Sequence, residues 1–98
     1  MQKFATSAEI LQRARIPNGV IVTLYSSDAE DFKDGRNLIA TNFDGTVRWR
    51  AKPVNHGSRD CFTGIFWDGY TLKANTFSCY QVAVDVDDGS VVVLAFTK

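Results

Sequence analysis

Three stretches of this chain, NLIATNFDGTVRWRA (37–51), GIFWDGYTLKAN (64–75) and YQVAVDVDDGSVVVLAF (80–96), repeat one pattern: an apolar-rich strand, an Asp-Gly, and a second strand. Asp-Gly between two alternating runs is a strong local signal for a β-hairpin, because Gly tolerates positive φ and Asp accepts it more readily than most residues. Asp44-Gly45 and Asp68-Gly69 suit two-residue type I′ turns. Asp87-Asp88-Gly89 suits a longer turn with a left-handed Gly in a bulge. Strands are expected at 20–25, 37–42, 46–51, 62–67, 70–76, 79–86 and 90–97. Making a sheet is a sufficient cause for all three repeats.

Before the first strand, Thr6 and Glu9 stand at capping-box spacing, and Ile10, Leu11 and Ala14 supply an apolar stripe for a short helix over 7–14. Pro17-Asn18-Gly19 then turns the chain. The expectation is one all-β domain over 1–98. It comprises a short N-terminal helix and lead-in (1–18) and an antiparallel meander of about seven strands (19–98), as a small barrel or a sandwich with blade-like hairpins.

Alternation sorts the faces. Val47, Trp49 and Ala51 share one side of their strand, and Arg48, Arg50 and Lys52 the other. The runs VIVTLY, FTGIFW and VVVLAFT are apolar on both sides, so something must cover a second face. The short N-terminal helix is expected to cover part of it and a second subunit the rest, which predicts a homo-oligomer, most simply a dimer. Connections of about ten residues exceed the usual hairpin length, so 26–36 and 52–60 are where function is expected.

Eleven Lys plus Arg balance eleven Asp plus Glu. Net neutrality argues against nonspecific nucleic-acid binding and against an anionic membrane as partner. No run reaches the roughly 20 apolar residues of a membrane helix, and no signal-peptide pattern opens the chain, so a cytoplasmic location is expected. Cys61 and Cys79 then read as free thiols. With one strand between them, they sit about 9.6 Å apart, beyond the roughly 7 Å a disulfide spans.

The repeats resemble blades of β-propellers, especially the quinoprotein type with its tryptophan-docking motif, Ala-x-Asp/Asn-x-x-Thr-Gly-x-x-x-Trp. AVDVDDGSVVV places Ala83, Asp85 and Gly89 at that spacing, with Asp88 at the Thr position and Val93 at that of the Trp. ATNFDGTVRW places Ala40, Asn42, Gly45 and Trp49 but is one residue short. The resemblance, from Asn37 onward, implies that Trp49 packs against a neighbouring blade. Fewer than two blades cannot close a propeller ring, so the strands must close as a barrel or sandwich or assemble with copies of the chain. No quinone cofactor is implied, because that chemistry needs a full ring. In general look the chain also resembles small bacterial proteins of the kind carried on integron cassettes.

Several residues carry candidate chemistry. His56, Asp60 and Cys61 have the types of a base, an orienting carboxylate and a thiol nucleophile, which would need mutual hydrogen-bond reach and an oxyanion hole. The acidic loop with Asp28, Glu30, Asp31 and Asp34 fails EF-hand spacing because Phe32 falls at the third ligand position. In DVDDG, Gly89 and Phe96 stand where ligands are required, so no metal is expected. Arg48, Arg50 and Lys52, with Arg59 nearby, form a basic stripe suited to an acidic protein surface, including the 28–34 loop of another copy. Trp49 faces away from it and cannot stack a base those arginines hold. Trp67 and Tyr70 flank a turn as candidate partner anchors. The preferred expectation is a noncatalytic, self-associating binding module without cofactor, using the two long loops and the basic stripe. The alternative is a small hydrolase-like or ligand-binding barrel built on His56, Asp60 and Cys61.

Overall fold

The computed structural model describes residues 4–54 and 60–96. Eight strands form two four-stranded antiparallel meanders. The first sheet is β1 (Ile10–Arg15), β2 (Ile21–Tyr25), β3 (Leu38–Thr41) and β4 (Val47–Arg50). The second is β5 (Phe62–Trp67), β6 (Leu72–Thr76), β7 (Tyr80–Val84) and β8 (Val91–Phe96). Neither sheet closes on itself. They lie face to face around one core, which excludes the single seven-stranded meander and the barrel.

That core takes Val22, Leu24, Leu38, Ala40 and Trp49 from the first sheet and Phe62, Leu72, Ala74, Val82 and Val84 from the second. Large apolar side chains buried this fully contribute about 1.5–3 kcal/mol each. The expected alternation holds at Trp49 and Ala51, which are buried, and at Arg48, which is exposed, but not at Val47: a register shift between its partner Thr41 and Ala40 leaves it exposed instead of on the core face.

The expected N-terminal helix is instead strand β1. Ile10–Arg15 pairs with Ile21–Tyr25 through the Pro17-Asn18-Gly19 turn, in which Asn18 Oδ1 accepts from Val20 N and Gly19 has φ +90°. An eight-residue helix is marginal because nucleation is costly, whereas an adjacent strand supplies partners for the whole segment. Thr6 does not cap a helix. Its hydroxyl accepts from Ala8 N and donates to Asp31, tying the N-terminal segment to the 26–36 loop.

These two segments cover the outer face of the first sheet. Phe4, Tyr25 and Phe32 form a small aromatic cluster over Ile39, with the Tyr25 and Phe32 rings stacked at 5.0 Å. Phe32 comes from a single 3-10 turn, Glu30–Phe32. The outer face of the second sheet has no such cover among the described residues: Phe66 and Val92 are exposed there, in one register row with Lys73 and Ala83.

The Asp-Gly turns form hairpins but are not type I′. Gly45 and Gly69 have positive φ, while Asp44 and Asp68 do not. Each Asp side chain accepts a backbone N–H two residues on, Thr46 for Asp44 and Tyr70 for Asp68. This local hydrogen bond suits a negative φ at Asp and leaves the left-handed position to Gly alone. The Asp87-Asp88-Gly89 turn has the left-handed Gly expected, φ +77°.

Candidate functional site

The three Asp-Gly turns and the Pro17-Asn18-Gly19 turn gather at one end of the sandwich, linked by Asn18 to Asp87 and by Arg48 to Asp87. The two long connections meet at the other end. Gly35 sits so close to the Asp60 carbonyl that a Cβ there would lie 1.9 Å from its oxygen.

Of the Cys/His/Asp group, His56 lies outside the described residues, as does Arg59. Asp60 is buried at 8% exposure, and its carboxylate accepts from Cys61 N, Ser78 N and Ser78 Oγ. It joins the start of β5 to the β6–β7 turn. Cys61 and Cys79 are not bridged by a disulfide, and both are half-buried. Among the described residues, no three His, Cys, Asp or Glu side chains gather where a metal would be held.

The basic stripe is engaged within the chain. Arg50 donates to the carbonyls of Asp31 and Arg36, lies 3.5 Å from an Asp34 carboxylate oxygen and covers the Phe32 ring at 5.1 Å. The acidic loop imagined as another subunit's partner is thus met by Arg50 of the same chain. Arg48 reaches across to the β7–β8 turn, donating to the Asp87 carbonyl and pairing with its carboxylate at 3.3 Å. Lys52 is exposed, beyond the end of β4. Tyr70 is 93% exposed, whereas Trp67 is half-buried against the core, so the two do not form one anchor.

Two residues without a sequence signal prove central to how the sheet edges are treated. An edge strand presents unpaired N–H and C=O groups. On β5, Asn37 fills that role: Phe62 N donates to Asn37 Oδ1 at 2.9 Å, and Asn37 Nδ2 donates to Phe62 O at 2.9 Å. Three residues along, Ile65 N donates to Gln12 Oε1 at 2.7 Å, and Gln12 Nε2 donates to Ile65 O at 3.3 Å. The register shift between Phe62 and Gly64 is what turns positions three apart toward the same side. Two amide side chains of the first sheet thus stand in for a neighbouring strand.

The opposite edge, β8, has no such treatment among the described residues. Val92, Val93, Leu94 and Phe96 are exposed at 47–63%. Val91 and Val93 pair with Val84 and Val82 on the core-facing side; Val91 packs against the core, whereas Val93 is exposed. Beside them is a groove of about 440 Å³ lined by Lys52, Pro53, Val54, Gly89, Ser90, Val91 and Val93. At its inner end the Trp49 ring lies on Gly89, and Trp49 Nε1 donates to Val86 O at 2.9 Å. The run 90–96 contains no charged residue and no Pro, the usual means of blunting an edge.

No helix among the described residues is long and apolar enough to cross a membrane. Comparison with curated proteins and with solved structures found no match. Residues 2–96 match the family described as a domain of unknown function, DUF7957, and the chain belongs to that family.

Proposed function

We propose that this chain is a noncatalytic interaction module whose recognition element is the free edge of β8 with the groove beside it. The observation that carries this reading is an uncharged apolar edge strand whose outer side meets no partner among the described residues, in a sheet whose opposite edge is closed by side chains. Such an edge takes an extended segment by strand addition: backbone hydrogen bonds give affinity, and alternate side chains give specificity. The groove, with apolar walls at Pro53, Val54, Val91 and Val93 and Lys52 at its rim, receives an apolar side chain of that segment. The long loops and the arginines of the basic stripe then act as scaffold.

The blade-like reading of the two meanders is retained as part of this proposal. Its support is Trp49 of the first sheet packing on Gly89 of the second. A cytoplasmic setting, in which Cys61 and Cys79 stay reduced, belongs to the same reading.

The test uses the full chain and, as probe, a synthetic peptide of residues 90–96 with solubilising lysines at its ends. Amide chemical shifts and hydrogen exchange should change along β8 and at Val54 when the peptide is added in large excess, enough to displace any strand already on that edge, and Val92→Lys should weaken the effect. Changes confined to the long loops, or none, would remove the β8 edge as the recognition element.

A further inference from the structure

Resting on that reading, we infer that the strand received by β8 is β8 of a second copy, paired antiparallel about a two-fold axis with Val91 opposite Phe96 of the other chain. Three observations support a copy of the same chain and allow this register.

The first is the state of the other edges. β5 is occupied by Asn37 and Gln12. β1 carries Arg13 and Arg15, so pairing it with its own copy would set arginines close to arginines. At the β4 edge, Arg36 Nη2 donates to Arg50 O, and the Arg48 side chain crosses to Asp87. Among the described residues, β8 alone combines an edge without a partner with side chains that oppose themselves without charge repulsion, as self-complementary pairing requires.

The second is the register shift in β8. Val91 and Val93 share the core-facing side with Phe96, while Val92 and Ala95 share the outer side; the offset arises because Leu94 is the extra residue between Val93 and Ala95. A two-fold axis normal to the sheet must bring like faces together. Centring the axis between Val93 and Leu94 does so, setting Val91 against Phe96 and Val92 against Ala95. Without the shift, residues five apart would lie on opposite faces, and this centring would fail.

The third is the groove. Val91 and Val93 of the edge strand form one of its walls. In this register, the ring of Phe96 from the second copy comes to Val91, one of the residues lining the groove. That ring is 58% exposed in the single chain and leans on its own Tyr80 at 5.1 Å between centroids. Each groove is therefore completed by a residue of the other chain, and the two second sheets join as one continuous eight-stranded sheet.

The experiment combines light scattering after size exclusion with isotope-filtered NOE spectra of a mixed-labelled sample. Across a wide range of protein concentration, the mass should be twice the 10.9 kDa of the chain. Val92→Lys and Leu94→Lys should each halve it while leaving circular dichroism unchanged, and Phe77→Lys, in an exposed turn, should not. The wild-type sample should show NOEs from Val91 methyls of one copy to the Phe96 ring of the other. Within one strand, residues five apart are about 16 Å distant, so such contacts cannot arise inside a chain. A monomer at every concentration, with the peptide probe still bound at β8, would overturn the second copy and leave the interaction reading standing. A dimer whose intermolecular NOEs lie elsewhere, with no probe binding at β8, would overturn both.

Discussion

Asn37 and Phe62 are paired as neighbouring strand residues would be, although one partner is a side chain: its amide oxygen accepts from Phe62 N and its nitrogen donates to Phe62 O, each at 2.9 Å. The same nitrogen also donates to Tyr25 O at 2.7 Å, and Asn37 is fully buried. Removing the amide leaves three buried backbone groups without partners, at about 1–3 kcal/mol for an unsatisfied group. Asn37→Ala should therefore cost about 3 kcal/mol or more in urea unfolding. Gln12→Ala, at a more exposed site, should cost about 1 kcal/mol. Hydrogen exchange at the Phe62 and Ile65 amides should accelerate in the respective variants; unchanged exchange would mean that water replaces these side chains without loss.

Gly89 is held by Trp49. A Cβ at position 89 would lie 2.7 Å from the indole carbons, at a φ of +77° that disfavours any side chain. Gly89→Ala should cost about 3 kcal/mol, from left-handed strain and overpacking together. The smaller ring of Trp49→Phe relieves the clash but not the strain. A double-mutant cycle in thermal unfolding should then show a coupling of at least about 0.5 kcal/mol. Simple additivity would show that the ring moves away at no cost.

Cys79 occupies a left-handed position, φ +72°, the one non-glycine residue to do so among the described residues. It closes the β6–β7 turn, where its N–H donates to Thr76 O. Placing Gly there removes the Cβ conflict, and Cys79→Gly should raise stability by about 1 kcal/mol, offset in part by the entropy Gly brings to the unfolded chain. A chemical denaturation curve with a lower midpoint than wild type would show that contacts of the thiol outweigh the strain.

Two turn carboxylates set an acid limit. Asp68 is held below its ordinary value of 3.8 by backbone N–H donation from Thr71 and then Tyr70, and Asp88 by that from Ser90. A lowered folded-state pKa means stability that is fully present above the unfolded value and is lost as pH falls through the folded one. Stability should be flat from neutrality to about pH 5 and decline below about pH 4. Asp68→Asn and Asp88→Asn should each shallow that decline, since the Asn oxygen accepts the same hydrogen bonds without titrating. Denaturation midpoints measured against pH for the three proteins provide the check, and three identical slopes would place the acid loss elsewhere.

Seven of the eight strands were legible because hairpin chemistry is local. Asp44, Asp68 and Asp88 stand beside the glycines that turn, and period-two alternation marks what lies between. β1 was not legible, since Thr6, Glu9, Ile10, Leu11 and Ala14 satisfy helix rules while the choice between helix and strand is made by β2, a neighbour in space. The stripe at Arg48 and Arg50 was correctly placed opposite Trp49, yet which carboxylate each arginine would meet depended on where the 26–36 loop and the β7–β8 turn land. Asn37 and Gln12 carried no signal, because a polar residue at a strand start looks alike whether it faces water or another sheet's backbone.

The sequence by itself determined an all-β chain, its turn positions, the placing of Trp49 opposite Arg48 and Arg50 and the doubly apolar character of β8, all consequences of interactions between residues near one another in the chain. Only the tertiary structure decided that the strands divide into two sheets, that an N-terminal extended segment covers one outer face, and that β5 is closed by amides while β8 stays open. Those outcomes hinge on backbone groups meeting partners dozens of residues away. Strand patterns are nearly degenerate with respect to such pairings, and the packing that selects among them exists only once the core has formed.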